Sequence, residues 1–127
     1  MDIEELITKL IECAKNIRRQ LGPGYLEAVY KNAMVIELRK NGLAYETEKQ
    51  ITVYYDGIPV GEYRTDIIVD NQVILELKAT KDLSIANEVQ LVNYLTATGI
   101  DNGLLINFGA DSIQIKRKFR IYRNPFK

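Results

Sequence analysis

Apolar side chains recur at helical spacing over residues 2–21, where Ile3, Leu6, Ile7, Leu10, Ile11, Ala14, Ile17 and Leu21 share one stripe. Asp2, with Glu5 three residues on, resembles a capping box. Gly22-Pro23-Gly24 breaks this pattern and forces a turn. A second helix is predicted from about Tyr25 to Asn41, with Gly42 as its stop. The period then changes. Tyr45–Tyr55 is rich in Thr, Val, Ile and Tyr, Asp56-Gly57 is a hairpin signal, and Val60–Val69 reads as the returning strand. Asp70-Asn71 is a second tight turn into Val73–Ala79, which is apolar enough for a central strand. Residues 84–98 are helical again, with Ser84 as N-cap and Gly99 as stop. Leu104–Phe108 and Ile113–Tyr122 complete the strands. The predicted order is α-α-β-β-β-α-β-β, an α/β fold bordering on α+β with a mixed sheet. The 84–98 helix is long enough to let Leu104–Phe108 run parallel to Val73–Ala79.

The 127 residues suit one domain, 1–127, and 46% hydrophobic with 27% charged residues is an ordinary globular balance. Histidine is absent, which excludes Ser-His-Asp and Cys-His catalysis and His-ligated zinc. The one cysteine, Cys13, excludes a Cys-based zinc site and reads as a packing residue. Catalysis would therefore run on carboxylates, lysine, tyrosine or an oxygen-held metal. No apolar run approaches a membrane span, and the acidic start is unlike a signal peptide, so a cytoplasmic protein is expected. The net charge is zero, but residues 116–127 carry Lys116, Arg117, Lys118, Arg120, Arg123 and Lys127 without an acid. Phe119, Tyr122 and Phe126 interleave with them. The stretch reads either as the solvated face of a last strand, the commoner case, or as a grip on nucleic-acid backbone.

The candidate chemistry lies in Arg64-Thr65-Asp66 and Glu76-Leu77-Lys78. Alternation along a strand puts Glu76 and Lys78 on one face and Leu75 and Leu77 on the other. With Asn71 near the hairpin tip, Asp66 falls opposite Glu76. By spacing alone, this set is either a cross-strand ion pair on a solvated face, the commoner outcome, or a site for a hard divalent cation. Arg64 alternates with Asp66, and is expected to share its face and either pair with a carboxylate or touch phosphate. Tyr30 is core packing or a hydroxyl aimed at the site. Gln90 and Tyr94, one helical turn apart, either cap the sheet edge or hold a water or phosphate oxygen.

Gly24-Tyr25-Leu26-Glu27-Ala28-Val29-Tyr30 resembles the signature of the GxxExxY family, within the PD-(D/E)XK nuclease superfamily. Tyr63–Asp66, Val73–Ala79, Gln90–Leu95 and Gly103–Gly109 resemble further blocks in order, so the likeness spans roughly residues 4–120. It implies a restriction-endonuclease-like mixed sheet flanked by helices. It implies Asp66 and Glu76 as metal-binding carboxylates, with Glu27 as an additional acidic metal ligand. It also implies Lys78 as the catalytic lysine and Gln90 as a polar neighbour in the catalytic set. Thr65 departs from the pattern, which places proline before the aspartate. The implied activity is a Mg²⁺- or Mn²⁺-dependent nuclease, endo or exo, acting on nucleic acid, DNA in the first instance. Arg64, Lys116, Arg117, Lys118 and Arg120 are the expected backbone contacts, and a homodimer is expected from symmetry base rates. The alternative is a non-catalytic nucleic-acid or protein binding module on the same fold.

Overall fold

The computed structural model describes residues 1–120. Helix α1 spans Ile3–Leu21 and helix α2 Glu27–Lys40. Asp2 caps α1 by accepting the Glu5 N–H at 2.8 Å. Gly22, at φ 70°, ends it by donating its N–H to the Arg18 carbonyl at 2.9 Å. Seven strands follow: β1 (Tyr45–Thr47), β2 (Gln50–Tyr55), β3 (Ile58–Arg64), β4 (Ile67–Val69), β5 (Val73–Lys78), β6 (Asn102–Asn107) and β7 (Gln114–Phe119). Helix α3, Ile85–Thr98, joins β5 to β6. The reciprocal Ser84–Asn87 capping box starts α3, and left-handed Gly99 stops it.

The main sheet has the order β1-β4-β5-β6-β7. β5 and β6 are parallel across the α3 crossover, and the other neighbours are antiparallel. Alternation along β5 divides the core in two. Val73, Leu75 and Leu77 pack with α1 and α2, while Ile74 packs with Leu91, Tyr94 and Leu95 of α3. Glu76 follows Ile74 by two residues, so it faces the α3 side. The expected mixed sheet between helical layers is therefore the observed architecture.

Two of the expected strands are each broken in the middle. Tyr45–Tyr55 divides at Glu48, whose φ of 52° lies in the left-handed region, and Val60–Val69 divides at Thr65-Asp66. The chains stay joined through the break. The Glu48 N–H donates to the Asp66 carbonyl, and the Thr65 N–H to the Lys49 carbonyl, both at 3.1 Å. The ribbon thus bends instead of ending. β1 and β4 stay in the main sheet, whereas β2 and β3 leave it as a separate two-stranded ladder. The Asp56-Gly57 and Asp70-Asn71 turns both hold two positive φ values, as their hairpin reading requires. The final strand is described only as Gln114–Phe119; Tyr122, Arg123, Phe126 and Lys127 lie outside the described residues.

Candidate functional site

The bend brings the two central carboxylates together. Ile67 pairs with Leu75, which leaves Asp66 one step beyond the ladder, beside Glu76. The Asp66 N–H donates to Glu76 Oε1 at 3.1 Å, and the Leu77 N–H donates to Asp66 Oδ2 at 2.8 Å. Each side chain is thus oriented by the other strand's backbone. Glu76 is only 5% exposed. Burial, and then the charge of Asp66, raise its pKa to about 8, against the Asp66 N–H and Lys78, which favour the anion. Lys78, half-buried at the end of β5, forms no direct ion pair among the described residues.

Glu27 is the first residue of α2 and is exposed. Loss of water around its carboxylate, and then the Asp66 charge, raise its pKa, opposed by Lys78 and Lys31. Two contacts fix the turn that delivers it. The Tyr30 ring is fully buried and stacks on Phe108 at 4.6 Å. Its hydroxyl donates to the Gly22 carbonyl at 2.7 Å and accepts the Tyr25 N–H at 3.2 Å. Tyr30 is therefore core packing whose polar tip holds the Gly22–Tyr25 turn. Lys31 pairs with Glu48 at 3.2 Å and ties α2 to the bend.

The loop after β5 is held by a buried amide. Asn107 Oδ1 accepts the Thr80 N–H at 2.9 Å and the Gly109 N–H at 3.1 Å. Its Nδ2 donates to the Thr80 carbonyl and to Gln114 Oε1, each at 2.9 Å. Gly109 must be glycine here, because a Cβ would lie 2.5 Å from the Thr80 carbonyl oxygen. Asn107→Ala leaves the Thr80 N–H and carbonyl and the Gly109 N–H without their part-buried partner, next to Lys78. It is expected to destabilise the fold by about 3 kcal/mol, read by denaturant unfolding.

Other sequence-predicted residues fall elsewhere. The β7 cations do not converge on the carboxylates. Lys116 pairs with Leu105, which pairs with Glu76, so two strand spacings (roughly 10 Å) separate Lys116 from Glu76. Glu88 of α3 accepts both Lys116 and Lys118, Glu4 holds Arg117 with two hydrogen bonds of 2.7 and 2.8 Å, and Asp101 holds Arg120. Arg64 is exposed at the end of β3 and enters no ion pair among the described residues. The bend interrupts the strand between it and Asp66, so the strand alternation assumed for the pair does not carry across. Gln90 is half-buried and lines a groove with Tyr63 and Tyr94. Cys13 is buried in the first core, and burial raises its thiol pKa. Among the described residues, no three His, Cys, Asp or Glu side chains form a group able to hold a metal ion. No described helix is long and apolar enough to cross a membrane.

The family model of the PD-(D/E)XK nuclease superfamily matches residues 4–119, which contain Glu27, Asp66, Glu76 and Lys78. The chain belongs to this superfamily. The crystal structure of SSO0001 is similar in fold, with a TM-score of 0.55 and 20% identity over 92% of this chain and 67% of that one. No curated protein matches the chain.

Within the candidate site, Thr65 stands where the superfamily's name has proline before the aspartate. Its N–H donates to the Lys49 carbonyl across the bend, a bond proline cannot make. Tyr94 is a site neighbour that motif spacing alone left ambiguous. It is 6% exposed, and burial, followed by the Glu76 and Asp66 charges, pushes its phenol up to about 12. A protonated hydroxyl therefore stands near the carboxylates. The signal was its place one turn after Gln90 in an otherwise apolar stripe.

Proposed function

We propose that the chain is a metal-dependent nuclease that hydrolyses nucleic-acid phosphodiester bonds at Asp66, Glu76 and Lys78. The observation that carries this is that the Asp66 N–H donates to Glu76 Oε1 while the Leu77 N–H holds the Asp66 carboxylate beside it, with Glu76 buried on the face shared with Lys78. A structural ion pair has no need of two carboxylates forced together, one kept protonated by burial. The donor chemistry fits Mg²⁺ or Mn²⁺: hard carboxylate oxygens whose mutual repulsion a divalent cation relieves. Asp66 and Glu76 would hold the ion; Glu27 would have to move in from the start of α2 to join them, since no three carboxylates are grouped for a metal among the described residues. When bound, it would supply an activated water and neutralise charge developing on the phosphate.

The chain's own groups do the rest. The Lys78 ammonium, without a direct carboxylate partner among the described residues, orients the attacking water and stabilises the negative charge that grows on the non-bridging oxygens. Arg64 contacts the backbone. The β7 cations would have to exchange Glu4, Glu88 and Asp101 for phosphate before doing so. Membership of the GxxExxY branch belongs to the same proposal and rests on Gly24–Tyr30.

The test is a panel of labelled duplex, single-stranded, flapped and branched DNA and RNA in Mg²⁺ and in Mn²⁺. Chelation and the Glu76→Ala/Lys78→Ala double variant serve as controls. Cleavage that both controls abolish is the expected result. Cleavage that survives the double variant, or a folded chain that cuts nothing and binds no divalent ion by calorimetry, overturns the reading.

A further inference from the structure

The bend that brings Asp66 to Glu76 also leaves the β2–β3 ladder standing off the main sheet. Of its side chains, only Ile51 is buried, against α3. Between the ladder and α3 runs an open groove of about 1020 Å³. Its walls carry Tyr54 and Tyr63 on one side, Val89, Gln90 and Asn93 on the other, and Tyr94 at the inner end. Among the described residues, none that lines it is charged. Tyr54 and Tyr63 are 62% and 47% exposed, an unusual amount of aromatic surface for a free wall. The Tyr63 ring lies 5.7 Å from that of Tyr94, on whose phenol the Glu76 and Asp66 charges act. The inner end of the groove therefore lies toward the candidate site, whose Asp66, Glu76 and Lys78 are not among its described lining residues.

We infer that this groove seats unpaired nucleotides, so that the substrate is a single-stranded segment whose bases stack on Tyr54 and Tyr63 while its backbone reaches Asp66 and Glu76. The inference deepens the nuclease reading and rests on it for the path of the phosphate. Three features point to this occupant. Its aromatic, amide and apolar walls match exposed base faces and edges, which a duplex keeps stacked and paired inside its two phosphate backbones. Tyrosine faces accept any base without regard to sequence. The Gln90 and Asn93 amides each offer a donor and an acceptor, which suits the edges of bases not already paired.

The test measures the anisotropy of labelled oligothymidine, oligouridine and a duplex of matched length on the Glu76→Ala/Lys78→Ala full-length chain. Cleavage by the wild type in Mg²⁺ runs in parallel. Binding to a single strand is expected to exceed binding to the duplex by ~10-fold or more, and Tyr54→Leu and Tyr63→Leu are each expected to weaken it by ~10-fold, the scale of one lost base–aromatic stack. Both tyrosines are exposed, and leucine keeps the apolar surface, so circular dichroism should be unchanged. Equal or tighter duplex binding, or leucine variants that bind like their parent, overturns the inference while leaving any Mg²⁺-dependent cleavage intact. Sedimentation that shows a dimer split by Val89→Glu, with single-strand affinity unchanged, overturns it in favour of a second copy of the chain. Tyrosine-dependent binding without cleavage of any substrate supports the seat and defeats the nuclease reading.

Discussion

Asp66→Asn is expected to leave the chain folded and to slow phosphodiester cleavage by about a thousand-fold, the scale set by several kcal/mol of lost charge stabilisation. The Leu77 N–H donates to Asp66 Oδ2 at 2.8 Å, and an asparagine amide oxygen can accept it equally well. The Asp66 N–H that donates to Glu76 is backbone and is unaffected. The substitution therefore keeps the bend and removes only the charge. Single-turnover cleavage and thermal unfolding, measured together, check the claim. A large loss of rate without a loss of stability is expected, and a variant that cuts at the wild-type rate would remove Asp66 from the site.

The second large effect is on stability in the absence of divalent metal. Glu76 titrates near 8 when folded, against an ordinary 4.5. Between these values the folded chain holds a proton that the unfolded chain has released. The contribution of Glu76 is therefore full below about pH 4.5 and drains away as the pH rises through 8. At full ionisation the loss is of the order of 3–5 kcal/mol. Glu76→Gln keeps an oxygen to accept the Asp66 N–H and has nothing to titrate. In chelator, wild type and variant are expected to have similar stability near pH 5. By pH 9 the variant should be the more stable by that amount. Urea unfolding across this range isolates the site, since titrations remote from it cancel in the difference. Added Mg²⁺ should restore stability to the wild type at high pH and leave the variant unchanged.

The parts of the fold legible in the chain were those that depend on local rules. Helical spacing located α1 and α3, the Asp2 and Ser84 caps marked their starts, and paired positive-φ turns set the Asp56-Gly57 and Asp70-Asn71 hairpins. The Asp70-Asn71 turn, with a two-residue strand period, was enough to put Asp66 beside Glu76. The breaks at Glu48 and Thr65 were not legible. The breaks fall in the polar stretches Glu46-Thr47-Glu48-Lys49-Gln50 and Arg64-Thr65-Asp66, which a solvated strand could equally carry, and strand propensity does not report a bend that the opposing strand must share. The role of the basic stretch was equally hidden. Arg117 meets Glu4 from the far end of the chain, and Lys116 and Lys118 meet Glu88 across α3. No spacing rule connects such partners.

Sequence alone thus determined which chemistry is possible. Without histidine and with one cysteine, it left carboxylates, lysine and tyrosine, and strand alternation put Glu76 and Lys78 on one face. Tertiary structure decided what those groups are. The α3 layer buries Glu76 and keeps its proton on to about pH 8, the bend turns a plain hairpin into one wall of a groove, and distant acids take up the β7 cations. The reason is physical. Side-chain direction follows from covalent geometry within a few residues, whereas desolvation and charge pairing depend on what the rest of the chain brings alongside.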